Sequence, residues 1–189
     1  MCSPKVFGAK SNGFLINDLK RRGANCKMAT HPCACGYFGD ASGRCRCAPD
    51  QIARYRGRIS GPLLDRIDMH VEVPTMTREL LLRTNSAPAE SSAIVRARVQ
   101  AAHERQLQRA GKINARLTAG EIPKYCKLTS RQNHLLAGAI DKFGLSGRAL
   151  HRILKLARTI ADLELSADIA DHHVTEAIAY RKLDRHTAG

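Results

Sequence analysis

CACGYFGDASGRCRCAPDQIARYRGRISGPLLDRIDMHVEV, residues 33–73, is the stretch around which the chain is organised. It begins with four closely spaced cysteines, continues through a group of arginines, and ends in the alternating pattern of a strand at residues 69–73. The residues before it show no clear period, apart from a possible short helix around residues 15–19. The residues after about position 91 carry helical apolar patterns. The sequence therefore predicts a mainly α protein.

Composition limits the class of protein and its partners. The 189 residues suffice for one domain with a smaller attachment, or for two small domains. Lysines and arginines number 31 against 17 acidic residues, giving a formal net charge of +14 that attracts nucleic acid, nucleotide phosphates or an acidic partner. A solvated basic face, or an acidic remainder elsewhere in a larger protein, explains the charge equally well. The sequence has no run of 18 apolar residues and no signal pattern, so we expect no membrane partner and a cytoplasmic protein.

Cys33-x-Cys35 and Cys45-x-Cys47 form the strongest chemical pattern in the chain. Four thiolates can complete a tetrahedral zinc site, and the glycines and polar turn residues between the pairs allow the chain to fold back. However, C-x-C is tighter than the usual C-x2-C spacing, which works against simultaneous ligation. A bound zinc ion and a loop with reduced cysteines both remain open. The odd total of seven cysteines favours metal or free thiols over a disulfide framework.

The C-terminal half predicts a series of helices. Their expected positions are residues 91–110, 120–126, 130–143, 146–163 and 171–183. Val99 is predicted on the apolar stripe of the first helix and Leu135 on that of the third. Arg96, Arg98, Arg105 and Arg109 are predicted on the other faces of the first helix, a solvated or anion-facing surface. His172 and His173 are predicted at the exposed start of the last helix, with no third ligand at metal spacing and therefore no metal site.

Several segments in combination resemble the magnesium-chelatase-like AAA+ ATPases of the ComM/YifB type. They are PCACGY at 32–37, CRC at 45–47, QIARY at 51–55, SGPLLDRID at 60–68 and ARTIADL at 157–163. The resemblance covers residues 28–185. It implies the C-terminal edge of an AAA+ α/β core over residues 29–74, a linker over 75–90 and a helical-bundle lid over 91–185, while residues 1–28 have no match. It also implies ATP with Mg²⁺ as cofactor, a homo-oligomeric ring of neighbouring AAA+ subunits, and DNA remodelling or branch migration.

The resemblance implies roles for individual residues. Arg66 in LLDRID matches the arginine finger, which contacts the γ-phosphate bound by a neighbouring subunit and stabilises the charge of phosphoryl transfer. Arg148 in LSGR matches the sensor-2 arginine of the lid, a second phosphate contact. His31 stands at the sensor-1 position, where the family has an asparagine that orients water near the γ-phosphate.

The phosphate-binding loop of the family is not recognisable in this sequence. The pattern G-x-x-x-x-G-K-[ST] does not occur, and residues 1–27 do not resemble the Walker A and Walker B segments that precede the sensor-1 position in the family. Because phosphoryl transfer needs both, we expect no ATP hydrolysis by this chain alone. Two alternatives stay open at this point: a stand-alone zinc-loop module that binds nucleic acid, and a non-functional remnant.

Overall fold

A computed structural model describes residues 14–17, 27–40, 42–73, 82 and 90–181. The chain divides into two compact units, residues 1–86 and 87–189. Helix dominates the described residues, which confirms the predicted fold class. Most of the linker predicted at 75–90 lies outside the described residues, as does most of the segment 1–28. Within the described ranges, no helix combines the length and the apolar character that a membrane span requires.

A three-stranded antiparallel sheet belongs to the first unit. Its strands are β1 (Phe14–Asn17), β2 (Lys27–Thr30) and β3 (Met69–Glu72), in the order β2-β1-β3. The prediction of a short helix around residues 15–19 is wrong, because residues 14–17 form the central strand. Phe14 pairs with Thr30 on one side and with Glu72 on the other. A strand between two partners satisfies its backbone hydrogen bonds on both edges, whereas one helical turn leaves most of them unpaired.

Two short helices connect β2 to β3 along the chain. They are α1 (Pro49–Arg56) and α2 (Gly61–Leu64). Both have proline in the first turn, where the missing N–H costs nothing. Leu64 and Ile67 are buried and anchor the turn that follows α2. The strand predicted at residues 69–73 is confirmed, with β3 ending at Glu72.

Five α-helices and one 3-10 turn form the described part of the second unit. They are α3 (Ser92–Ala110), the 3-10 turn (Asn114–Arg116), α4 (Ile122–Tyr125), α5 (Ser130–Phe143), α6 (Gly147–Leu163) and α7 (Asp171–Ala179). Side-chain oxygens of Ser91 and Ser146 accept N–H groups at the starts of α3 and α6. Gly111 and Gly144 end α3 and α5 in the left-handed conformation. Helix α7 ends at Ala179, short of the predicted residue 183.

Helix α6 lies at the centre of the second unit. Ala149, Ile153, Ala157 and Ala161 are fully buried along one of its faces, spaced four residues apart. It packs against α3, α4 and α7, and α5 packs against α7. The small alanines allow the neighbouring helices to approach closely.

Two residues predicted on apolar stripes are exposed instead. Val99 is 53% exposed and Leu135 is 41% exposed. Helix α3 buries Ala102 and Gln106, and the amide oxygen of Gln106 accepts the N–H of Asn114 at 3.0 Å. The buried face of α3 therefore includes the polar Gln106, and a search for apolar periodicity does not identify a face of this kind.

Candidate functional site

The four cysteines predicted as zinc ligands lie together in the loop between β2 and α1. The Sγ atom of Cys33 lies 3.3 Å from that of Cys35 and 3.9 Å from that of Cys45. The Cys35 and Cys45 sulfurs are 3.7 Å apart, and all four sulfurs, including that of Cys47, lie within 4.8 Å of one another. All four are free thiols. The tight C-x-C spacing therefore does not keep the sulfurs apart, and the cluster could hold a metal ion.

Tight turns bring the second cysteine pair back to the first. Gly36 and Gly39 adopt φ values of +83° and +81°, which side chains with a Cβ rarely reach. The N–H of Gly36 donates to the carbonyl of Cys33 at 3.1 Å, closing a turn around the first pair. The carboxylate of Asp40 accepts the N–H of Ser42 at 2.8 Å and closes a second turn.

The thiols of the cluster differ in acidity. The backbone N–H of Tyr37, together with the hydrogen bond from the Cys33 thiol, lowers the pKa of Cys35 to about 6. The backbone N–H of Cys35 acts to lower the pKa of Cys47, but the hydrogen bond with the Cys35 side chain and burial outweigh it and raise that pKa to about 11. Cys35 therefore ionises more readily than Cys47. A metal ion would displace the remaining protons.

Helix α1 contacts the cysteine loop through Arg56. Its Nε donates to the carbonyl of Pro32 at 3.1 Å, and its guanidinium lies 4.9 Å from the ring centre of Phe38. Arg54, two residues earlier in α1, forms an exposed ion pair with Asp50 at 3.6 Å. Of these two arginines, Arg56 has an evident structural role.

The three residues predicted to contact nucleotide are all exposed. Arg66 follows α2, and its N–H donates to the carbonyl of Leu63 at 3.0 Å. His31 follows β2 directly, and a Cβ at Gly36 would lie 3.4 Å from its Nδ1. Both belong to the first unit. Arg148 belongs to the second unit, in the first turn of α6.

Comparison with known proteins identifies the family. The model for magnesium chelatase, subunit ChlI, matches residues 23–81, and the model for its C-terminal region matches residues 89–181. The chain belongs to the magnesium chelatase family. The first match includes His31, the cysteine cluster and Arg66, and the second includes Arg148.

Two curated relatives support this membership in the magnesium chelatase family. The chain is 48% identical to YifB of Escherichia coli (strain K12) over 140 residues, which are 74% of this chain and 28% of YifB. It is 44% identical to the competence protein ComM of Haemophilus influenzae over 157 residues, which are 83% of this chain and 30% of ComM. The resemblance seen in the sequence is thereby confirmed. The chain spans less than a third of the length of these relatives.

The C-terminal unit of this magnesium chelatase family chain contains a buried polar network that sequence reasoning missed. Asp162 is fully buried, and its carboxylate accepts two hydrogen bonds from Arg109 at 2.6 and 2.7 Å. It also accepts a hydrogen bond from Nδ2 of Asn114 at 2.8 Å and forms an ion pair with Arg158 at 3.1 Å. The prediction of a solvated or anion-facing surface holds for Arg96 and Arg98, which are exposed, but not for the other two arginines. Arg109 pairs with Asp162 inside the unit, and Arg105 donates to the carbonyl of Ser166 at 3.2 Å. The one sequence feature that could have indicated this network is the i, i+4 spacing of Arg158 and Asp162, which allows an ion pair on one helix face.

The start of α7 corrects a second prediction. His173 is buried rather than exposed, and its Nδ1 accepts the N–H of Ala170 at 2.8 Å. Nε2 of His173 and Nε2 of His172 each lie 2.9 Å from one carboxylate oxygen of Glu164, which is the third neighbour that spacing did not reveal. These hydrogen bonds lower the pKa of Glu164.

The hydrogen bonds among Glu164, His172 and His173 favour a role in capping the start of α7 over a metal site. Because Nδ1 of His173 accepts a backbone N–H, the ring hydrogen lies on Nε2 and is donated to Glu164. A metal at that nitrogen would displace this hydrogen and break the bond. The contacts of the two histidines with Glu164 therefore connect the start of α7 to the end of α6.

Proposed function

We propose that this chain is the C-terminal part of a ComM/YifB-type AAA+ ATPase, in which a ring of subunits uses ATP with Mg²⁺ to remodel DNA. The observation that carries the proposal is the match of two magnesium chelatase models in order along the chain. The identity to ComM, named a competence protein, supports a role in handling DNA. The net charge of +14 is compatible with a polyanionic partner.

In this proposal Arg66 is the arginine finger. Its guanidinium would neutralise charge that develops on the γ-phosphate bound by a neighbouring subunit, an effect worth roughly 10³–10⁵ in rate. Two features support this role. Arg66 is exposed, and the buried side chains of Leu64 and Ile67 hold the turn that carries it. A finger on an anchored turn loses less conformational freedom when it reaches the phosphate.

Arg148 is proposed as a second phosphate contact from the lid. It lies in the first turn of α6, which has no acidic residue to balance it. A cation there opposes the positive end of the helix dipole, so its contribution to helix stability is unfavourable. A phosphate at this helix end would interact favourably with both the arginine and the free N–H groups. His31, at the sensor-1 position of the first unit, is proposed as the residue that orients water.

The test uses full-length ComM or YifB, with substitutions at the positions matching this chain. Arg66→Ala should reduce ATP turnover by roughly 10³–10⁵ while nucleotide binding persists, because the finger serves a neighbour's nucleotide. Arg148→Ala should reduce turnover and weaken binding. Arg54→Ala is the matched control, since Arg54 is an exposed arginine in an exposed ion pair. Near-normal turnover in Arg66→Ala would overturn the finger assignment.

The isolated chain provides a second test. We expect no ATP hydrolysis above background, because the sequence contains no phosphate-binding loop. Robust turnover by this chain would overturn the proposal that it acts only as part of a larger motor.

A second candidate function is a nucleic-acid-binding module built on the cysteine loop. The observations that favour it are the basic charge and the clustered thiols. It predicts salt-dependent DNA binding by the isolated chain that a metal chelator abolishes. DNA binding that is absent, or unaffected by chelation, would eliminate it.

A further inference from the structure

We propose that Cys33, Cys35, Cys45 and Cys47 bind one Zn²⁺ ion, and that this ion fixes the segment carrying His31 against helix α1. The zinc site itself does not depend on ATPase activity. Its effect on nucleotide chemistry, through His31, rests on the function proposed above.

The sulfur positions fit a tetrahedral ion. With Zn–S bonds of about 2.3 Å, the sulfurs of a regular tetrahedron lie about 3.8 Å apart. The three separations among Cys33, Cys35 and Cys45 are 3.3, 3.7 and 3.9 Å. Movements of a few tenths of an ångström would bring these three sulfurs to tetrahedral spacing, and the Cys47 sulfur, within 4.8 Å of the others, would need to move by at most about 1 Å. A disulfide, by contrast, needs sulfurs at about 2.05 Å.

The surroundings of the cluster suit four thiolates. A zinc ion with four thiolates carries a net negative charge, and the exposed Arg44 and Arg46 flank the second cysteine pair. Four protein ligands leave no open position, so the ion would be structural rather than catalytic.

The cysteine loop has little else to hold it. Its largest apolar side chain, Phe38, is 40% exposed, and among the loop residues that the structure describes only Pro32, Cys33 and Gly36 are buried. A segment with so little apolar burial opens easily. A metal that joins both cysteine pairs would supply the missing stabilisation.

The same loop connects β2 to α1. Cys33 directly follows Pro32, whose carbonyl accepts Nε of Arg56 from α1. The imidazole of His31 lies against Gly36, whose N–H closes the turn over residues 33–36 by donating to the carbonyl of Cys33. Metal ligation at Cys33 and Cys35 would therefore restrict His31 and keep the Arg56 contact in place.

The first experiment measures metal in the full chain, purified under reducing conditions without added zinc. Mass spectrometry should find about one zinc per chain, and Cys45→Ser should lose it. Cys126→Ser is the matched control, because Cys126 is a buried thiol of the helical unit and should not affect zinc content. Replacement by Co²⁺ should give the visible absorption of tetrahedral thiolate coordination.

The second experiment measures hydrogen exchange before and after chelation. Amides of residues 31–47 should exchange faster once the metal is removed, whereas amides of α6 should not change. Circular dichroism of Cys45→Ser should retain the helical signal, which separates loss of metal from loss of fold.

Three outcomes would overturn the proposal. They are a chain without zinc, equal zinc content in Cys45→Ser, and disulfides within the cluster of the reduced preparation. Unchanged exchange at residues 31–36 after chelation would overturn the link to His31 and α1. None of these measurements uses ATP, so their failure is distinguishable from failure of the arginine-finger proposal.

Discussion

Replacing Asp162 should strongly destabilise the C-terminal helical unit. The carboxylate is fully buried and bridges Arg109, Arg158 and Asn114. Asp162→Ala would leave two guanidinium groups without their buried counter-ion and one amide without its acceptor. Removing one partner of such a buried network costs about 3–5 kcal/mol. In a unit of about 100 residues this should lower the melting temperature by roughly 12 °C or more.

The matched control is the exposed ion pair of Arg98 with Glu90. Its N···O distance is 2.8 Å, and its two side chains are 50% and 42% exposed. Glu90→Ala should therefore change the free energy of unfolding by no more than about 1 kcal/mol. Urea and thermal unfolding followed by far-ultraviolet circular dichroism measure both variants. If Asp162→Ala loses no more stability than Glu90→Ala, the network does not stabilise the fold and the reasoning from burial is refuted.

The same carboxylate predicts the direction of acid sensitivity. Burial acts to raise the pKa of Asp162, but hydrogen bonds from Arg109 and Asn114 and the charge of Arg158 outweigh it and lower that pKa. Because the pKa of this carboxyl is lower in the folded state, its ionised form stabilises the fold at any pH above the pKa in the unfolded chain, about 3.9. This contribution to the free energy of unfolding is lost as the pH falls from about 3.9 through the pKa of the folded state. Asp162→Asn cannot titrate. Its deficit in stability relative to the wild type should therefore shrink below about pH 4.

Two further predictions concern the helical unit. His173→Ala removes the acceptor for the N–H of Ala170 and should lower the free energy of unfolding by about 1–3 kcal/mol. Substitution of the exposed His172 by Ala should lower it less, and equal losses of stability in the two variants would contradict the capping role. The amides of residues 149–161 in α6 should be among the slowest to exchange in the chain, because this helix lies at the centre of the second unit. Faster exchange there than in the exposed helix α1 would contradict that placement.

Local signals predicted the helices well. Ser91 caps the start of α3, Gly111 caps its end, and Ser146 caps the start of α6. The sequence predicts such caps well because each depends on a few adjacent residues. The apolar rhythm of α6 likewise gave its buried face. Strand β1 was missed because a four-residue strand is decided by partners 10 or more residues away, which no local period encodes.

The polar contacts of the C-terminal unit were beyond the reach of spacing for a different reason. Arg109 and Asp162 are separated by 53 residues, and their pairing depends on the packing of α3 against α6. Glu164 reaches His172 and His173 only because the chain turns between α6 and α7. The cysteine pattern is intermediate: the sequence identified the right residues, but only the turns at Gly36 and Gly39 show that the sulfurs converge.

Burial separates two kinds of arginine in segments that resemble the family. Arg158, in the segment ARTIADL, is buried, pairs with Asp162, and donates to the carbonyls of Ser166 and Ala167. Its charge is used within the fold, so its replacement should unfold the unit whether or not nucleotide is present. Arg66 and Arg148 are exposed, and the fold gains little from keeping a charged arginine at either position. Substitutions there should leave unfolding temperatures nearly unchanged while reducing turnover in a full-length relative. That dissociation between stability and activity would distinguish residues that contact nucleotide, as proposed for Arg66 and Arg148, from a residue that holds its own domain together.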